Sequence, residues 1–141
     1  MTVFYSTELA SIASEPVGLA NATSHGARLH VYRATIALAS QTTSDTIVIA
    51  KVPAGQTFVY GWHTTDTSLG SSTVAIGITG TTAKYKAAAT FTATNTPTPF
   101  GLVSAMDDSP TSALETVFIT ISAATMPSSG IYVVHLVFMG T

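Results

Sequence analysis

A chain of 141 residues with no cysteine has room for one domain with a real core, and it excludes disulfides and thiolate-bound metal as sources of stability. Lys, Arg, Asp and Glu make up 9% of the residues, against an average of about 25%, and the net charge is −2. The five bases, Arg28, Arg33, Lys51, Lys84 and Lys86, form no run, so nucleic acid is not an expected partner, and a mean hydropathy of +0.42 is far from that of a disordered chain.

Residues 1–26 have a texture of their own: Ser, Ala and Glu dominate, with Pro16 and Gly18 and no sustained period. This segment reads as an N-terminal arm ahead of a domain spanning residues 27–141. Within it Ser6 to Ser14 can form a short helix, with Leu9, Ile12 and Ala13 on one face. Such an arm has little apolar surface to offset an ordering entropy of about 1–2 kcal/mol per residue. It reads either as a frayed terminus or as an arm that orders against a neighbouring subunit, with Phe4, Tyr5, Leu9 and Ile12 as the anchors. The first residues have neither the basic nor the apolar stretch of a targeting segment. No run approaches the ~18 apolar residues of a membrane helix, so no membrane is expected. Asn21-Ala-Thr23 matches the glycosylation triplet, which reads as chance without a secretion signal.

From Arg28 onward the chain alternates with strand period. His30, Tyr32, Ala34, Ile36 and Leu38 share one face, and Leu29, Val31, Arg33, Thr35 and Ala37 the other. A polar turn leads to a second strand over Thr46 to Val52, rich in β-branched residues. After Pro53-Ala-Gly55 a third strand, Thr57 to Thr65, is expected to hold Phe58, Tyr60 and Trp62 on one face; Gly61 there marks a close approach or a bulge. That aromatic row reads first as core and second as an exposed stacking or anchoring surface. A fourth strand covers Ser72 to Ile78. Residues 83–94 are ambiguous, with Tyr85 to Ala89 suited to a helical turn. Two prolines make residues 95–99 a loop, and Phe100 to Val103 a possible short strand.

Glu115 to Ser122 and Ile131 to Met139 complete the strands. Both faces of the last are apolar, which suits a central strand covered on both sides or an outer face buried against another subunit. Short strands between turn signals predict an all-β antiparallel sandwich or jelly-roll-like barrel. Its buried residues are expected to include Tyr32, Ile36, Ile47, Ile49, Phe58, Tyr60, Val117, Ile119, Val134, Leu136 and Phe138.

Catalytic signatures are sparse. None of the histidines 25, 30, 63 and 135 lies at ligand spacing from another, and His30 and His135 read as structural strand residues, although a fold could bring them together around a metal. Asp107-Asp108 before Ser109-Pro110 reads as a turn rather than a calcium loop. No nucleophile elbow or phosphate-binding glycine loop occurs. The expectation is a structural or interaction module: not an enzyme, with no catalytic residue, no cofactor and no metal.

The order of segments resembles tailed-bacteriophage head decoration, or cement, proteins. An arm leads into residues 26–35; Ser44 to Ile49 is followed by Lys51-Val-Pro-Ala-Gly55 and an aromatic strand; then come Ser72 to Ile78 and, last, Ile131 to Phe138. The resemblance implies an antiparallel sandwich on the outside of a capsid. Its partners there are the major capsid protein and further copies of itself, commonly as a trimer, and the virion surface is its location after synthesis in the host cytoplasm. It transfers no functional residue. A receptor- or carbohydrate-binding β module of a phage fibre or tail is the alternative.

Overall fold

The computed structural model describes residues 26–107 and 110–140. The arm, and with it Phe4, Tyr5, Leu9 and Ile12, lies outside the described residues, as does Asp108. The described chain forms eight strands, β1 (Arg28–Ala37), β2 (Thr46–Val52), β3 (Gln56–Thr65), β4 (Thr73–Ile78), β5 (Thr81–Thr90), β6 (Thr98–Phe100), β7 (Glu115–Ser122) and β8 (Ile131–Gly140), and one helical turn, α1 (Val103–Met106). They build two antiparallel four-stranded sheets, ordered β1-β8-β3-β6 and β2-β7-β4-β5.

The pairing has a simple logic: β1 pairs with β8, β2 with β7, β3 with β6 and β4 with β5. The chain doubles back at the β4–β5 hairpin, and the doubled ribbon rolls up so that β3 meets β8 and β4 meets β7. This is a jelly roll, two sheets packed face to face over one core. The hairpin requires Gly77: a Cβ there would lie 2.2 Å from the Thr81 carbonyl oxygen and 2.5 Å from the Thr82 carbonyl carbon. Backbone atoms cannot step aside, so Gly77→Ala is expected to destabilise by about 1–3 kcal/mol, as overpacking does, read as a lower urea midpoint with an unchanged m-value.

Alternation places the core as the sequence predicts at most positions. Ile36, Ile49, Phe58, Val117, Ile119, Val134, Leu136 and Phe138 are buried, and the half-buried Tyr32 and Ile47 pack against them. Tyr32, Phe58, Tyr85 and Phe138 form an aromatic cluster with ring centroids 4.7–5.7 Å apart. The Lys51-Val-Pro-Ala-Gly55 turn is clamped from across the molecule. Thr111 Oγ1 donates to the Pro53 carbonyl at 2.7 Å and accepts from Gln56 N at 3.1 Å, and Gly55 N donates to the Thr111 carbonyl at 2.7 Å.

Three expectations are corrected. Phe58, Tyr60 and Trp62 do not share a face, because a bulge between Phe58 and Tyr60 shifts the register against β8. One extra residue exchanges the two faces for the rest of the strand. Phe58 stays in the core, while Tyr60 is 42% exposed and Trp62 faces outward. Tyr60 is therefore not a core residue. Gly61 is the close approach: a Cβ there would sit 2.3 Å from the Phe100 ring. Tyr85 to Ala89 lies within β5 rather than in a helical turn. Phe100 ends a strand that begins at Thr98, and the residues after it form α1; Pro99 is tolerated because β6 is a three-residue edge strand.

Candidate functional site

His63, Lys86 and Glu115 are engaged within the sandwich. His63 is 2% exposed; its ring stacks on Phe91 at 3.8 Å, and its Nδ1 lies 2.7 Å from the Tyr132 hydroxyl. Burial, with the Lys86 cation nearby, pushes the His63 pKa down to about 4, and burial pushes the Tyr132 phenol up. Lys86 is itself buried, with its pKa lowered by desolvation, and Nζ donates to the carbonyls of Val74 at 2.9 Å and Ala87 at 3.2 Å. Glu115 accepts from Lys84 Nζ at 2.8 Å and from the Tyr85 hydroxyl at 2.6 Å.

His30 lies on the inner face of β1, opposite Phe138, whereas His135 lies on the outer face of β8, opposite Arg33. The sheet separates them, so they cannot share an ion. Among the described residues no three His, Asp or Glu side chains group in a way that could hold a metal. A hollow of about 390 Å³ between β5 and α1 is lined by Ile78, Thr81, Ala83, Lys84, Leu102 and Ala105 among others, and its cation already pairs with Glu115.

The outer face of the β1-β8-β3-β6 sheet is different. Cross-strand register stacks it in rows: Leu29, Met139 and Thr57; then Val31, Val137 and Tyr60; then Arg33, His135, Trp62 and Pro99; then Thr35, Val133 and Thr64. Leu29 is 63% exposed and Val31 61%, while Val137 between Val31 and Tyr60 is only 3% exposed. Trp62 and His135 stack with centroids 3.7 Å apart and planes 12° apart. Desolvation lowers the His135 pKa, with Arg33 opposite adding to the effect.

Within these rows Arg33 is the one residue with a permanent charge. The corresponding rows of the other sheet hold more hydroxyls, in Thr46, Thr120 and Ala75, in Thr73 and Ser122, and in Lys51 and Thr116, around one apolar row of Val48, Phe118 and Gly77. A broad exposed apolar surface of this kind marks an interaction site. Its signal in the sequence was the second apolar face of β8 together with Leu29 and Val31; the missing part was the β3 bulge, which turns Tyr60 and Trp62 into the same surface.

No protein-family model matches the chain, and no curated protein does. Its fold is similar to that of chains found in phage capsid structures. A chain of the Cyanophage Pam1 capsid asymmetric unit matches with a TM-score of 0.71 and 19% identity, over 91% of this chain and 96% of that one. The capsid of Ralstonia phage GP4 contains a chain matching at 0.63 and 16% identity, over 81% and 85%. The acidic stable capsid of Helicobacter pylori bacteriophage KHP30 contains one at 0.55 and 11%, over 79% and 86%. At these identities the likeness is one of fold.

Proposed function

We propose that this protein is a structural component of a bacteriophage particle that decorates and stabilises the outer surface of the capsid, with the major capsid protein as partner and with self-association, as a trimer, on the shell. The observation that carries this reading is the near end-to-end likeness to a chain of the Pam1 capsid. The apolar, nearly uncharged outer face of the β1-β8-β3-β6 sheet gives it a physical basis, because Thr and aliphatic side chains cost little to desolvate where charges would cost much. Symmetry on a shell multiplies each modest contact, so one copy need not bind tightly alone. The role calls for no catalysis, cofactor or metal, and places the protein on the virion after synthesis in the host cytoplasm.

The test is sedimentation of purified protein with empty shells of the phage that encodes it, followed by imaging. Co-sedimentation at saturable stoichiometry with density on the outside of the shell is expected. Protein that stays in the supernatant, or that is found on the tail, overturns the reading. Residues 1–26 are proposed to contribute neighbour contacts through Phe4, Tyr5, Leu9 and Ile12. Changing those four to serine is expected to leave the circular dichroism unchanged and to weaken shell binding by well over tenfold, the equivalent of about 1.4 kcal/mol.

A further inference from the structure

The gap between the two sheets is covered differently on its two sides. On one side the edge strands β1 and β2 lie against each other, and on the other α1 lies against β3 and β5. Beside α1 a hollow of about 390 Å³ stays open, walled by the apolar side chains of Ile78, Ala83, Leu102 and Ala105, with the exposed Ser104 also among its lining residues. Val103 of α1 is 79% exposed, and Leu114 just ahead of β7 is exposed as well. On the β1 side Leu29 stands exposed. Apolar side chains are thus left in water on both sides of the same domain.

The two sides also match in position and charge. Arg28, Gly140 and Gln56 form one row across the sheet, and Leu29, Met139 and Thr57 the next. The chain around α1 reaches this same end of the strands: Ala105, Phe58, Gln56 and Thr111 line one crevice, and Thr111 N donates to the Gln56 carbonyl at 2.8 Å. At this end the β1 and β2 side carries Arg28 and Lys51, both exposed, and neither pairs with an acid among the described residues. On the α1 side Glu115 takes up Lys84, and Asp107, directly after α1, is exposed.

We propose that these two surfaces bind each other between copies of the chain. The Arg28–Leu29 corner of β1 seats against α1 of the next copy, with Leu29 entering the hollow beside Ser104 and Arg28 facing Asp107. This rests on the self-association proposed above and names its surfaces. The contact is head-to-tail: each copy offers one surface to one neighbour and the other surface to the next, which closes into a ring when successive copies are rotated. Pairing β1 with β1 of a second copy is the poorer choice. It would set Arg28 and Arg33 of one edge against the same bases of the other, with no acid in either strand.

The cysteine-free chain allows a direct test with full-length protein and a short bismaleimide. Leu29→Cys and Ser104→Cys are purified separately and mixed. The mixture is expected to give covalent dimers, and each variant alone is expected to give almost none. Dimers from Leu29→Cys alone mean β1-to-β1 pairing and overturn the proposal. So does a mixture that bridges no better than Leu29→Cys mixed with Thr116→Cys, although the native protein sediments as an oligomer; self-association then stands by another surface. A native protein that sediments as a monomer overturns the self-association and this contact together. Charge reversal is the second test. Arg28→Glu or Asp107→Lys alone is expected to weaken self-association by about tenfold or more, because each sets like charges together, and the two combined are expected to restore it. Single variants that associate as the native protein does, or a double variant that is not restored, overturn the pairing of these surfaces.

Discussion

Val31→Asp is expected to abolish attachment to the shell while leaving the domain folded. Val31 is 61% exposed, so the change removes little core packing, and its cost to the fold is the poor strand propensity of aspartate, on the order of 1 kcal/mol. In the proposed interface the effect is much larger. The new carboxylate lies in the row formed with Val137 and Tyr60, where a partner surface would cover it without a matching charge. An uncompensated buried charge costs about 3–5 kcal/mol, a loss of roughly a hundred- to several-thousandfold in affinity. The control is Thr116→Asp on the outer face of the other sheet, where Thr116 is exposed and opposite Lys51. Co-sedimentation with shells should be lost for Val31→Asp and retained for Thr116→Asp. If both variants bind, or both fail, the outer face of the β1-β8-β3-β6 sheet is not the contact.

The second large effect is a loss of stability in acid that originates at His63. Burial holds this imidazole neutral in the folded chain, with its pKa near 4 against 6.5 for the free group. The folded state thus binds fewer protons than the unfolded state once the pH falls below 6.5. Stability is complete above pH 6.5 and declines as the pH falls toward 4, by about 3 kcal/mol at 1.36 kcal/mol per pKa unit. His135 is depressed as well and acts in the same direction, whereas the lowered Lys86 pKa begins to act as the pH falls below 10.5. The measurement is the urea midpoint from pH 7 to pH 4 for the native protein and for His63→Phe combined with Tyr132→Phe. The double variant removes both members of the hydrogen-bonded pair and leaves no orphaned partner. It should lose most of the pH dependence. A native protein of constant stability over this range, or a slope that survives in the double variant, refutes the assignment to His63.

Much of the architecture was legible because strand alternation is a local signal. In β7 the apolar Val117, Ile119 and Ile121 recur every second position and are buried, and burial alternates over most of β1 and β8. β5 was not legible. Tyr85-Lys-Ala-Ala-Ala89 has no alternation, and a lysine inside a strand reads as a solvent-facing residue. The register shifts against β4 instead bring both Tyr85 and Lys86 under cover, and the Lys86 charge is accommodated by the Val74 and Ala87 carbonyls. The short β6 strand and α1 were misplaced for a similar reason: whether Pro99 can sit in a strand depends on whether that strand is an edge, which is a property of the assembled sheet.

By itself, then, the sequence determined an all-β antiparallel sandwich, most of its inward residues, a low-charge surface and a chain without stapling chemistry, because composition and period-two patterning act within a few residues of one another. Tertiary structure decided which strands meet, and hence the rolled-up β1-β8-β3-β6 and β2-β7-β4-β5 order, since pairing partners such as Val31 and Val137 lie about a hundred residues apart in the chain. It also decided the face that Tyr60 and Trp62 present. A single extra residue in β3 exchanges inside for outside, and only the hydrogen-bonding register against β8 reveals that the extra residue is there.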